Sequence, residues 1–191
     1  MLPLMLFVLA QAPLPSLLVE ATDGGSAFVI RNTHSSQALT AYLIELVDYP
    51  GSSFAYSQDE LAQGGSSLGA GKQRRFPVPN MTLGAAPDYV KMRAALYADG
   101  SASGADDQVA QLRARRAMLL ATIVEILSQP TNLKALRDAI PPSNSKSNRA
   151  APEVVDRATR RALINEAITL QTNSPTALLE QFRARRATLD K

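Results

Sequence analysis

The chain contains no cysteine and no tryptophan, and His34 is the single histidine among its 191 residues. Without cysteine there is no disulfide framework, no thiolate metal site and no thiol nucleophile. One imidazole leaves no histidine pair of the kind a zinc centre is built from. Aromatic residues are only 5% of the chain, five Phe and five Tyr. Apart from Phe182, none interleaves with the basic clusters, as base stacking on nucleic acid would require. Long apolar runs are also missing. The longest, residues 2–10, is about half of the roughly 20 residues needed to cross a bilayer. What is present suffices for a folded core and excludes a wholly disordered chain: 46% hydrophobic and 19% charged residues. Thirty of the hydrophobic residues are Ala, so that core is leaner than the percentage implies.

Residues 2–10, Leu-Pro-Leu-Met-Leu-Phe-Val-Leu-Ala, are followed by Ala10-Gln11-Ala12, a small-x-small site. Together they have the h-region and cleavage site of a secretory signal peptide over residues 1–12, although the basic n-region is missing and Pro13 follows the cut. The expectation is a soluble extracytoplasmic protein, periplasmic or secreted. No cysteine follows the run, so no lipid anchor is expected there.

Residues 13–104 are predicted to form strands. Leu17–Thr22 is short, apolar and closed by Asp23-Gly24-Gly25, a turn signal. Ala27–Thr33 alternates, with Phe28 and Ile30 on one side. Leu39–Tyr49 is the longest candidate, with Tyr42, Ile44 and Leu46 on one face and Leu43, Glu45 and Val47 on the other. Its second face is apolar enough to expect a cover there too. Gln63–Gly71 is Gly/Ser-rich and predicts a long loop. In Arg74–Pro79 the two prolines restrict the segment to a sheet edge or a strand end. Tyr89–Ala98 alternates and places Val90, Met92, Ala94 and Leu96 inward, with Ile44 and Leu96 expected in the sandwich core. Several short strands separated by turns, with no helical pattern between them, predict an immunoglobulin-like antiparallel β-sandwich.

From Ala105 the period changes, and residues 105–191 predict an α-helical region. Asp106–Gln129 carries an apolar stripe of Val109, Leu112, Leu119, Ile123 and Ile126, with carboxylates at its start. Most of that stripe should pack on the later helices, and its base on the sandwich. A short helix follows Thr131 and ends at Pro141-Pro142. Residues 141–151 read as a linker. Glu153–Thr172 is helical, and Ser174-Pro175 is an N-cap and N1 pair for a last helix. The fold class is therefore α+β.

Charge is uneven. Residues 1–104 hold six Lys and Arg against eight Asp and Glu, and residues 105–191 hold fourteen against nine. Fifteen of the basic residues are Arg, and eleven of those follow Leu112. Three triplets stand out: Arg113, Arg115 and Arg116; Arg157, Arg160 and Arg161; Arg183, Arg185 and Arg186. They are candidate contacts for a polyanion or a lipid headgroup. The alternative is a solvated, internally paired set. Glu153 with Arg157 and Asp156 with Arg160 have favourable i,i+4 spacing, and Glu180 with Arg183 has i,i+3 spacing. The strings Gln111–Leu119 and Gln181–Leu189 resemble each other, which suits convergence on a good helix former.

Two apparent motifs fail on context. Gly65-Ser66-Ser67-Leu68-Gly69 has nucleophile-elbow spacing, but the only histidine precedes it in the chain. Gly65–Lys72 lacks the first glycine of a phosphate-binding loop, and Gln73 replaces its Ser/Thr. Asp59-Glu60 is the one acidic pair of the first half and is expected on a solvated loop or a helix start. Asn80-Met81-Thr82 fits a glycosylation sequon. No catalytic, cofactor-binding or metal-binding set converges, and no cofactor is expected.

The segment Val90–Gly104, the Arg-Ala-Arg-Arg helix that follows Asp107, and Ala41-Tyr42-Leu43-Ile44-Glu45 resemble exported bacterial proteins of unknown function, often acidobacterial. In those an Ala-Val-x-Tyr-x-Asp-Gly-Ser/Thr strand end runs into an Arg-rich helix. The resemblance covers about half of the chain. It implies a sandwich with helices, and export; it brings no activity. The expected role is a non-enzymatic extracytoplasmic interaction or structural module with an unknown protein partner. Weak polyanion or membrane-surface binding through the Arg-rich helices is the alternative.

Overall fold

The computed structural model describes residues 12–23, 25–50, 54–79, 87–141 and 151–189. The expected signal segment, the linker and the Asn80 sequon lie wholly or mostly outside those residues. The fold is α+β. Strands β1 (Ser16–Thr22), β2 (Gly25–Arg31) and β5 (Gln73–Pro79) form one antiparallel sheet in the order β1-β2-β5. Strands β3 (Leu39–Leu46), β4 (Ala55–Asp59), β6 (Val90–Tyr97) and β7 (Ala102–Gly104) form a second, in the order β4-β3-β6-β7. Four helices follow: α1 (Asp106–Ser128), α2 (Leu133–Asp138), α3 (Pro152–Asn173) and α4 (Pro175–Leu189).

Alternation in β1, β2 and β5 sends Leu17, Val19, Phe28, Ile30, Phe76 and Val78 to one side, where they meet Tyr42, Ile44 and Tyr56 of the second sheet. The two sheets therefore pack face to face. Phe28 and Phe76 sit edge to face, with centroids 5.6 Å apart. The prolines of β5 are tolerated because β5 is an edge strand.

The β3–β6 pair departs from simple alternation. Its register slips twice, so that Thr40 is an extra residue in β3 and Arg93 an extra residue in β6. Each bulge turns the following residues to the opposite face. In β6, Val90 and Met92 point between the sheets, and beyond the bulge Ala95 and Tyr97 do so. Ala94 and Leu96 point the other way. The expectation that Leu96 lies between the sheets is thus corrected, while Ile44 is where it was expected. Leu96 belongs to a second apolar layer, in which Ala41, Leu43, Ala94 and Leu96 are covered by Val109 and Leu112 of α1. The apolar outer face of β3 has its cover.

Further along α1 the stripe changes partner. Leu119, Ile123 and Ile126 pack with Leu163, Ile164 and Ala167 of α3 and with Leu178 and Phe182 of α4. α1 and α3 run in the same direction, since Arg115 meets Asp156, Glu125 meets Arg160, and Pro130 meets Gln171. The Ser174 hydroxyl caps α4 by accepting from Ala177 N at 3.3 Å. Ile44 and Leu96 are both buried. Alanine at either should cost about 2–5 kcal/mol in equilibrium urea unfolding, from lost transfer energy and the cavity left. A loss below about 1 kcal/mol at both would contradict the layering.

Candidate functional site

The Gly/Ser-rich connection between β4 and β5 is pinned rather than loose. Leu68 exchanges two backbone hydrogen bonds with Leu39. The buried Asn32 donates through Nδ2 to the carbonyls of Gln37 and Leu68, both at 2.8 Å, and its Oδ1 accepts from His34 N. His34 serves that same corner: its Nδ1 accepts from the amides of Ser36 and Gln37, and its ring lies against Tyr97. Ser67 sits in the crossover between strands, with no helix behind it. An elbow nucleophile has neither its strand–turn–helix support nor a nearby base among these contacts.

Asp59 and Glu60 depart from the solvated loop expected of them: each residue is only 2% exposed. The reason lies in partners far along the chain. Asp59 closes β4, and its Oδ1 accepts from the amides of Leu61 and Ala62, both at 3.1 Å, in an Asx-type turn. Its Oδ2 accepts from Arg116 Nε of α1 at 2.6 Å. Arg116 also donates through Nη2 to Thr40 Oγ1 at 2.9 Å, at the β3 bulge, and Thr40 Oγ1 donates to Leu96 O. Glu60 points the other way and pairs with Arg74 of β5 at 2.5 Å. The two neighbours thus diverge, as adjacent residues on an extended chain do, and each ties a different pair of layers. They do not face each other across a gap, as the carboxylates of glycoside hydrolysis do.

Burial outweighs the pull of Arg74 and holds the Glu60 carboxyl above its usual range. Desolvation likewise pushes the Tyr42 and Tyr56 phenols up. The fold disfavours ionised Glu60, so its contribution to stability is complete below the unfolded value of about 4.3 and is lost as the pH rises through the folded value. Glu60→Gln should therefore gain stability relative to the wild type as the pH rises above the unfolded value of about 4.3. Parallel urea titrations across that range check it; a gap that stays constant contradicts it.

The nine arginines of the three triplets do not assemble one basic surface. Arg115 is 2% exposed and donates through Nε to Asp156 Oδ1 at 2.5 Å. Arg116 is held by Asp59. Arg160 pairs with Glu125 at 2.5 Å, and Arg161 donates to Ile140 O at 2.7 Å. Arg185 pairs with Glu166 and lies over the Phe182 ring, 4.8 Å from its centroid. Arg113 reaches Gly100 O at 3.3 Å. Arg157 is half-buried, while Arg183 and Arg186 lie on the exposed side of α4. Asp156 and Arg160, expected to pair with each other within α3, go instead to α1: Asp156 meets Arg115 and Arg160 meets Glu125. The two resembling strings hold equivalent positions, because Arg115 and Arg185 both reach carboxylates of α3, ten residues apart.

Asp156, the partner of Arg115, borders a cleft of about 310 Å³, lined also by Met118, the Ala139–Pro141 stretch, Glu153, Arg157 and Arg160. Among the described residues no group of three or more His, Asp or Glu is placed to hold a metal ion, and no helix is long and apolar enough to cross a membrane. No protein-family model, no curated protein and no solved structure matches the chain.

Proposed function

We propose that the chain is a non-enzymatic extracytoplasmic module, structural or for interaction, built on an immunoglobulin-like sandwich with a helical layer fixed to its back. The observation that carries the reading is the employment of the buried ionisable groups. Asp59, Arg116 and Thr40 join β4, α1 and β3, and Glu60 joins the two sheets through Arg74. Groups held in this way by internal partners stiffen a scaffold. The strand order supports the immunoglobulin-like reading. The first, second and fifth strands make one sheet, and the third, sixth and seventh lie together in the other. In the constant-type arrangement the fourth strand belongs to the first sheet; here it has moved beside the third.

A partner surface is available on the outer side of β1. That strand pairs on one side only, and Leu18, the most exposed large apolar residue described, is 58% exposed there. A photo-cross-linker at position 18, expressed in the native host, should capture one discrete protein species. The rival reading, polyanion or membrane-surface binding through the Arg-rich helices, draws little support because Arg115, Arg116, Arg160 and Arg185 are turned to internal carboxylates and build no continuous outer basic surface for a polyanion to lie on. Steeply salt-dependent retention on heparin or anionic vesicles, with no adduct at position 18, would favour the rival over the module. Export is tested separately by N-terminal sequencing of the native protein. The expected start lies beyond Ala12, and a cytosolic pool retaining Met1 through Ala12 overturns it.

A further inference from the structure

The α1–α3 contact leaves donors without acceptors. Among the described residues, Arg115 uses only Nε, on Asp156, and its Nη1 and Nη2 are buried with no hydrogen-bond partner. The same holds for Nε of Arg157 and Nε of Arg160. Four buried guanidinium nitrogens on three neighbouring arginines therefore lack acceptors. Of the carboxylates at hand, Asp156 is engaged by Arg115 and Glu125 by Arg160, while Glu153 lines the cleft without an ion pair to Arg157 among the described residues. A buried guanidinium nitrogen without a partner is costly, and charged donors are satisfied best by charged oxygens. Arg157 and Arg160 line the cleft described above, as does Asp156, which touches Arg115 on its other side. The Asp156 side chain is 37% exposed, and its displacement by a ligand oxygen is what would open the cleft toward Arg115.

We propose that this cleft binds a phosphoryl group, as inorganic phosphate or a small phosphomonoester, through Arg115, Arg157 and Arg160. A tetrahedral anion presents oxygens in several directions and suits guanidinium groups arriving from two helices; a carboxylate has only two oxygens in one plane. The lining carboxylates Glu153 and Asp156 are acceptors. They favour an anion that carries a proton to donate, which hydrogen phosphate does and sulfate does not. Met118, Ile140 and Pro141 supply an apolar wall for a small organic body.

The test titrates the full chain with inorganic phosphate, glycerol 3-phosphate and sulfate at constant ionic strength, reading amide and arginine Nε–H resonances. Saturable shifts centred on Arg115, Asp156 and Arg157 are expected, with phosphate at least about tenfold tighter than sulfate. Tighter binding of glycerol 3-phosphate than of phosphate identifies an ester ligand, and the reverse order identifies the free ion; either upholds the site. Arg157→Gln, at a half-buried position with no ion pair to lose among the described residues, should weaken phosphate at least about tenfold while the melting temperature without ligand does not fall. Arg115→Met should abolish the response; should that variant fail to fold, Arg157→Gln decides alone. Equal responses to phosphate, sulfate and chloride, or unchanged phosphate binding in Arg157→Gln, overturn the proposal.

Discussion

Replacing Gly104 with alanine should destabilise the protein by roughly 3–5 kcal/mol. Gly104 ends β7 opposite Ala94, beside the bulge at Arg93. Its φ is +117°, a backbone conformation that residues with a Cβ rarely adopt. The added carbon would lie 2.2 Å from Arg93 O and 2.9 Å from Ala94 Cα. Both obstacles are backbone atoms, so no side-chain rotation relieves the clash. Relief would require β7 to pull away from β6, and α1 begins only two residues later at Asp106. The strain thus reaches the layer in which Leu96 meets Leu112. Gly100, also at positive φ but with nothing near its missing Cβ, is the control. Gly100→Ala carries the dihedral cost without the collision and should lose about 1–2 kcal/mol. Urea unfolding of both variants separates the two effects, and similar losses at the two positions would show that the close approach at Gly104 contributes nothing.

Asp59→Ala should cost about 3–5 kcal/mol and loosen the joint between the helices and the sheet. The substitution leaves the Arg116 guanidinium largely buried without its carboxylate, which is more damaging than removing both partners. It also strips the acceptor from the amides of Leu61 and Ala62. Ala62 is buried in the helical core beside Phe182, so the turn that Asp59 closes carries part of that core. Asp59→Asn keeps an oxygen for the two amides and should lose about half as much. Pairing Asp59→Ala with Arg116→Met removes the stranded charge and should recover stability relative to the single change. Hydrogen exchange gives the spatial readout: amides of residues 61–63 and of the first half of α1 should speed up before those of β1 and β2. A loss below about 1 kcal/mol, with exchange unchanged at the turn, would mean that the ion pair only decorates a joint held by apolar contact.

The elements of this protein are written in local patterns, and those patterns are legible without a structure. A period of two marks β1, β2, β3, β5 and β6, a helical period marks α1, α3 and α4, and Gly, Pro, Asp and Ser set most boundaries. The absence of cysteine and of a second histidine limits the chemistry whatever the fold. Two strands escape such reading. β4, Ala-Tyr-Ser-Gln-Asp, has too little apolar alternation, and β7 has only three residues. Both exist because a neighbour offers an edge. The bulges at Thr40 and Arg93 are equally silent locally, since a slip in register is defined only between two strands, and they alone decide that Leu96 faces α1. The fate of the charged residues also belongs to the tertiary structure. Asp59 meets a partner 57 residues away, Arg115 one 41 away and Arg160 one 35 away. A spacing rule that sees one helix at a time assigns Asp156 and Arg160 to each other, because a long-range ion pair depends on where the backbone brings two helices together.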